Sequence, residues 1–558
     1  MNEQLGALAE RFWDDMMTAS PLWATILGDH RFDAEVEDLS AEHEADLTTR
    51  LTAMRDEAAA IDPAGLESDD RITRHVLMSE ADGHIGALQS RLPEYNVDPM
   101  LGLHMDIVQG ISQFRANEDS HAWAFVEKAS KIGRQFDQMM ERHRQGVAGG
   151  RTPPRISIEK ALAQLDALAA APVEENAFMQ IALPESMAES EQDRWRDAMA
   201  EQVRDVVNPA FGRYRETVAD EVLPHGRPPE KSGVCWLPDG EEVYSRAVRR
   251  FTSLELDPAE VHQSGLDDIA ALEDEYARLG ESVLGTTDVA EIYDRLRNDQ
   301  TLRFESAEQV REQAERATAR ANEATPDWFG RLPKAECMVQ PIPEPGAKEA
   351  PLAYYLPPAD DGSRPGIFFI NLTDPTTRTR YESEALAFHE GVPGHHFQLT
   401  IAQELEGLPA FRRNGLVTVY VEGWSLYCER LADEMGLYSG DLERFGILSF
   451  DSWRAGRLVV DTGLHALGWG RQQAIDYLLE NSPQAPNNIE NEVDRYIGYT
   501  GQALAYKIGQ RELFRLRAEA QKAMGNTFDI KAFHDTVLES GPVPLDLLGE
   551  LITEWAGA

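Results

Sequence analysis

One decapeptide, His389–Gln398, reads HEGVPGHHFQ, and no continuous helix can be built through it. Pro393 lacks an amide hydrogen and pushes Val392 away from helical dihedrals, while Gly391 and Gly394 free the backbone on either side. The flanking residues are those of a zinc-binding helix. In the common H-E-x-x-H arrangement two histidines four apart share one helical face. Here the next histidines stand at plus six and plus seven. On an unbroken helix the plus-seven position lies about 10.5 Å further along the axis. That is too far for two imidazoles that must each reach one metal at about 2 Å, and plus six points off the face. A local loop or bulge at 391–394 would fold the second histidine back, as such irregularities often do at functional positions. The same residues also suit a plain helix end, with His395 and His396 in a polar loop. The decapeptide alone leaves both readings open.

The rest of a hydrolytic metal site is nearby. Such sites use three protein ligands and leave one position for water, with a further carboxylate to take the water's proton. His389 offers a first ligand and Glu390 the base. His395 or His396 offers a second ligand, and Glu422, in VYVEGWSLYCERL, the third. Glu429 stands seven residues after Glu422, on the same helical face. It suits the acceptor that ligand imidazoles usually need for their other N–H, or a charge pair with an arginine.

The chain has 558 residues, enough for two or more subdomains with a sizeable core. Its net charge of −44 argues against nucleic acid and anionic membranes as partners. Runs such as GIFFINL are far shorter than the roughly 20 residues of a membrane helix. The start, MNEQLGALAERFWDDMM, is acidic and amphipathic, without the basic start and apolar core of a signal peptide, which points to the cytoplasm. Cys235, Cys337 and Cys428 form no C-x-x-C pair, so no disulfide framework or cysteine zinc site is expected.

Apolar residues at three-to-four spacing mark most of residues 1–335 as helical. DPAEVHQSGLDDIAALEDEYARLG starts well with Asp-Pro and stops well at Gly280. After about residue 335, LAYYLPP and PGIFFINL read as a hairpin around the turn formers ADDGSR, and IPEPGAKEAP reads as a loop. Helices then follow at 413–435, 441–480 and 490–520. The expected fold is mainly α, with a small β-hairpin or sheet beside the motif helix. The expected organisation is a helical region 1–335 covering a cleft and a catalytic region 336–558.

HEGVPGHHFQ, VEGWSLYCERLADEMG, RAGRLVVDTGLHALGW and RYIGYTGQALAYKIGQRELFRLR together resemble the bacterial "domain of unknown function 885" family. PLWATILGDHRFD and FHDTVLESGPVPLDLLGELI extend the resemblance over nearly the whole chain. It implies a metallopeptidase-like protein, distantly similar to helical zinc carboxypeptidases and oligopeptidases, with two helical subdomains enclosing a deep channel. Glu422 follows His395 by 27 positions and His396 by 26, so spacing does not choose between them. The family motif favours His395, with His396 as the alternative ligand. In the peptidases an edge strand before the motif helix pairs with an extended substrate, a role that would fall to IFFINL; an ordinary core hairpin is the other reading. The family usually has Pro-Gly-Gln where this chain has Thr500-Gly501-Gln502, which loosens the turn that places Tyr499.

Among supporting residues, Tyr499 and Tyr506, ahead of Tyr496, are candidate donors to a tetrahedral oxyanion, as is His465. Arg495, Lys507 and Arg511 are candidates to hold a substrate carboxylate. For each of these, core packing or a salt bridge is the competing reading. Asp461 suits either an orienting or a structural role, and Trp424 and Trp469 read as core. The expectation is a monomeric or homodimeric hydrolase with one Zn2+ per chain, Fe2+ or Mn2+ suiting similar donors. Its substrate would be a short peptide or small amide. The alternatives are a metal-dependent biosynthetic enzyme, either a lyase or an iron-dependent oxidase, and a non-catalytic binding protein.

Overall fold

The computed structural model describes residues 1–343, 347, 351–358 and 364–557. The fold is mainly α. Its principal helices are α1 (Glu3–Ala19), α2 (Ser68–Gln89), α3 (Asp119–Ala148), α4 (Gly240–Thr252), α5 (Pro258–Val283), α6 (Ala307–Trp328), α7 (Ser383–Glu390), α8 (His395–Gln403), α9 (Thr418–Glu434), α10 (Phe445–His465), α11 (Pro486–Gly498) and α12 (Ala505–Met524). Among the described residues one sheet occurs, formed by β1 (Cys337–Pro341), β2 (Ala353–Leu356) and β3 (Gly366–Ile370).

Local chemistry sets many boundaries. Asp257 caps α5 by accepting from the amides of Ala259 and Glu260, with Pro258 at the first helical position. The expected stop at Gly280 is not a stop: α5 runs on to Val283. Gly280 is there for packing, since a Cβ at that position would lie 2.2 Å from Ile292 Cδ1. Gly285, at φ +72°, supplies the left-handed residue beyond the helix end.

The hairpin of β2 and β3 forms as expected, with Ala353 opposite Ile370; residues 359–363 of its turn, and 344–346 and 348–350 of the preceding loop, lie outside the described residues. β1 is an addition that sequence reading missed, pairing parallel to β3 from Cys337–Gly366 to Pro341–Ile370. It places β3 in the middle of the sheet. The edge-strand role expected of IFFINL is therefore corrected, because both sides of β3 already carry ladder partners. Phe368 and Ile370 face the main core beside Phe388, Val392 and Phe397, while Ile367 and Phe369 pack with Ile342 on the other face.

One hydrophobic cluster draws on both sides of residue 335, joining Phe12 and Leu77 to Phe388, Trp424, Leu513 and Leu548. A second, around Phe125, Trp195 and Tyr214, draws its buried members only from residues 36–222. Glycines set two close helix contacts. A Cβ on Gly265 of α5 would lie 2.8 Å from Val459 Cγ2 of α10, and one on Gly423 of α9 would lie 2.5 Å from Gly509 Cα of α12. A cavity of about 440 Å3 between α1, α2, α4 and the 411–416 segment is lined by Trp13, Glu37, Glu80, His84, Arg250 and Leu416 among others.

Two of the expected long helices are interrupted. The 441–480 stretch breaks after His465, where the Trp469 amide returns to the Gly463 carbonyl. The 490–520 stretch breaks after Gly498. Gly501 there takes φ +80°, and its amide donates to the buried Asp461 carboxylate at 3.1 Å. Tyr499 consequently sits in a turn and not on a helix face.

Candidate metal centre

The break inside HEGVPGHHFQ is real and compact. α7 ends at Glu390 and α8 begins at His395, joined by Gly391–Gly394 with a cis Val392–Pro393 peptide. A Cβ on Gly394 would lie 1.9 Å from the His389 carbonyl oxygen, so α8 starts directly against the end of α7 and only glycine fits. The turn is held from α9, because Trp424 Nε1 donates to the Pro393 carbonyl at 3.0 Å and the Cys428 thiol to the same oxygen at 3.3 Å. Trp424 is fully buried, as expected of a core residue, and also pins the turn.

Folding back brings His395 to His389. Their rings stand 4.9 Å apart between centroids and nearly perpendicular, at 87°. Glu422 enters from α9, its Oε2 3.7 Å from His389 Nε2 and 3.5 Å from His395 Nε2. Two ligands bound tetrahedrally at about 2.1 Å lie about 3.4 Å apart, so these separations suit three donors around one ion. The same Glu422 Oε2 is buried without a hydrogen-bond partner among the described residues.

The supports of the two imidazoles are in place. His389 Nδ1–H donates to Glu429 Oε1 at 2.8 Å, and His395 Nδ1 pairs with Ser425 Oγ at 2.8 Å. Each contact leaves Nε2 turned towards Glu422. Glu422, Ser425 and Glu429 lie at i, i+3 and i+7 of α9 and so share one face. Ser425 was missed in the sequence, although this spacing marks it. Burial opposes charging His389, but Glu422 and Glu429 outweigh burial and raise its pKa to about 9. Burial likewise opposes charging Glu422, and the two histidines outweigh it, holding that carboxyl well below its usual range. The cluster as a whole favours a positive charge at its centre.

Among the described residues a second group, His30, Asp33 and His121, also brings potential donor atoms within 4.8 Å of one another. Its imidazoles stack face to face at 3.7 Å and 15°. Parallel rings direct their in-plane lone pairs side by side, whereas the perpendicular rings of His389 and His395 let theirs converge. The first group is therefore the better ligand set.

His396 does not join it, which corrects its standing as alternative ligand. Its Nδ1 accepts from the Tyr355 hydroxyl at 2.8 Å and its Nε2–H donates to the Ala335 carbonyl at 3.1 Å. Burial lowers its pKa to about 4, so it is a neutral structural residue. His465 is corrected in the same way: the Val234 amide donates to its Nδ1, and its Nε2–H donates to the Tyr496 carbonyl.

Of the tyrosines, Tyr506 packs nearly parallel to His389, centroids 6.4 Å apart. Burial and the charge of Glu422 raise its pKa. Tyr499 meets Phe251 edge-on at 5.1 Å. Tyr496 is structural, accepting from Trp453 Nε1 and Arg457 Nε and donating to Glu492. Glu390 is half-buried at the end of α7, and among the described residues no hydrogen bond or ion pair engages its carboxylate.

The expected carboxylate-binding cations are all engaged elsewhere. Arg495 donates through Nε and Nη2 to Glu492 and through Nη1 to Gln502. Lys507 is held by Asp451 and Gln510 in the core. Arg511 pairs with Asp268 on the surface. Sequence reading missed instead two buried arginines of α10, Arg454 and Arg457.

A family model described as "Bacterial protein of unknown function (DUF885)" matches residues 21–552, and the chain belongs to that family. A crystal structure described as "the putative lipoprotein from Colwellia psychrerythraea" superposes with a TM-score of 0.92 at 25% identity, covering 100% of this chain and 99% of its own. A structure from Shewanella oneidensis described as "a putative lipoprotein of unknown function" gives a TM-score of 0.74 at 18% identity, covering 98% and 99%. None of the curated proteins matches. The expected cytoplasmic location is overturned: both of these structures, similar over the whole chain, are described as lipoproteins. The N-terminal charge pattern was too weak a signal to place the protein. No helix among the described residues is long and apolar enough to cross a membrane.

Proposed function

We propose that this DUF885 chain is a zinc-dependent hydrolase that cleaves an amide bond in short peptides or peptide-like molecules. The observation that carries the reading is the set of Nε2 of His389, Nε2 of His395 and Oε2 of Glu422, at separations that suit one tetrahedral ion. The bound ion would supply Lewis acidity for the scissile carbonyl and acidity for water.

The remaining roles fall to the chain. Glu429 and Ser425 hold the two imidazoles in orientation. Glu390, next to His389 and unengaged among the described residues, takes a proton on its carboxylate from the attacking water and returns it to the leaving amine. Tyr506, beside His389, is the better placed of the proposed oxyanion donors. An envelope location is carried over from the lipoprotein descriptions of the two relatives.

Two histidines and one carboxylate also describe an iron oxygenase site. Glu390 favours hydrolysis, because oxygen chemistry needs no base beside its ligand. Elemental mass spectrometry of the purified protein and its Glu422→Ala variant tests the site. One zinc in the parent and none in the variant supports it. A parent that stays empty in zinc-replete buffer overturns it. Hydrolysis of a short-peptide library by the parent, absent in Glu390→Gln, tests the chemistry.

A further inference from the structure

The buried arginine pair of α10 has donors that no described residue takes up. Arg454 and Arg457 lie one turn apart, and each is at least nine-tenths buried. Arg457 gives Nε to the Tyr496 hydroxyl and Nη2 to Glu492, but its Nη1 is buried without a hydrogen-bond partner among the described residues. Among the described residues neither Nε nor Nη1 of Arg454 has a hydrogen-bond partner. Leaving buried N–H groups of a charged side chain unmatched is costly, so such groups usually await a partner.

Two carboxylates, Glu492 and Glu429, act on the pair. Glu492 serves both Arg457 and Arg495. Glu429, whose charge acts on Arg454, accepts from His389 through Oε1, and its Oε2 is buried with no hydrogen-bond partner among the described residues. The two guanidiniums also oppose each other's charge. In a chain of net charge −44 this is a local excess of positive charge.

Its position relates it to the metal-type cluster. The guanidinium carbon of Arg457 lies 4.5 Å from the centre of the Tyr506 ring, and that of Arg454 lies 5.6 Å from it. Tyr506 in turn packs against His389. Trp453, 4.3 Å from Arg454 and 4.5 Å from Arg457, fixes both planes from another side.

We infer that Arg454 and Arg457 form a carboxylate-binding subsite one aromatic ring removed from the cluster of His389, His395 and Glu422. A guanidinium fork matches a carboxylate in shape and charge. The substrate is then an amide carrying a free carboxylate close to the scissile bond, as at the C-terminal residue of a short peptide. The substrate class rests on the hydrolase reading; the anion subsite itself does not.

The test is calorimetric binding of N-benzoylglycine and of its primary amide to the full-length protein. It is run on the zinc-loaded parent, on Glu422→Ala, and on Arg454→Gln and Arg457→Gln. The expected result is about ten-fold or greater preference for the acid in the parent, kept in Glu422→Ala and lost in either glutamine variant. Arg454→Lys should retain part of it. Acid and amide binding the parent alike, no acid binding at all, or an unchanged preference in a folded Arg454→Gln would each overturn the subsite. Because the acid–amide contrast is read on the parent, misfolding of a variant leaves the test intact. A preference for the acid in a parent that holds no zinc would keep the subsite and remove only the hydrolase reading.

Discussion

The carboxylate of Glu429 accepts the Nδ1–H of His389 at 2.8 Å, with both side chains buried. This contact fixes the tautomer that leaves Nε2 of His389 facing Glu422. Outer partners of this kind typically change metal affinity by about 10- to 100-fold when removed. Glu429→Gln and Ser425→Ala should each weaken zinc binding by that order while keeping one zinc per chain. Competition against a chromogenic chelator measures it, and unchanged affinity in both variants would show that the two contacts are incidental.

Glu390→Gln should keep the zinc and lose hydrolysis. A positioned acid–base group contributes about 10^2- to 10^4-fold, so kcat should fall by that order while the metal content stays that of the parent. Parallel activity and elemental measurements separate this from a simple loss of the site. A variant that retains full activity would remove Glu390 from the mechanism.

Gly394→Ala should disrupt the fold locally. Its Cβ would be placed 1.9 Å from the His389 carbonyl, which is backbone and cannot swing away. Losses above about 4 kcal/mol mark severe steric or core damage, and this substitution should reach that class. Chemical denaturation of the variant checks it, with Gly212→Ala as a control whose added Cβ meets nothing within 4 Å.

Acid should destabilise the protein below about pH 6.5, through histidines the fold keeps neutral. Burial lowers His143, His396 and His465 to about 4 and His534 to about 3. His534 is held between the Tyr427 hydroxyl and the Trp328 carbonyl. For each, the folded pKa lies below the unfolded one. Between the two values the unfolded chain binds a proton that the folded chain refuses. Stability is therefore complete above the unfolded pKa and declines as pH falls towards the folded one. One pKa unit corresponds to about 1.4 kcal/mol, so His143, His396 and His465 each contribute on the order of 3 kcal/mol at most and His534 on the order of 5 kcal/mol. Thermal melts between pH 7.5 and 4 should show Tm falling steadily across this window. A flat profile would mean that these rings take up protons in the folded state.

Much of the candidate site was legible because it depends on short-range chemistry. Proline and two glycines announce the turn at 391–394, and Glu422 with Glu429 shows one helical face. The β1 strand was not legible, since CMVQP carries no alternation and pairs with a partner far along the chain. Nor were Arg454 and Arg457, because a charged residue in a helix reads as surface until its neighbours are known. The same logic misplaced Arg495 and Lys507, which are engaged by Glu492, Gln502, Asp451 and Gln510.

His395 and His396 state the division most clearly. The sequence determined that the helix must break and that two adjacent histidines follow the break, because backbone dihedrals obey local sterics. It could not decide which histidine turns to the cluster. Adjacent residues on a helix point about 100° apart, and spacing to Glu422 suits both. Only packing resolves them: Ser425 from α9 takes Nδ1 of His395, while Tyr355 from β2 and the Ala335 carbonyl occupy both nitrogens of His396. Those partners come from distant parts of the chain, and they meet only when the helices and the sheet are packed.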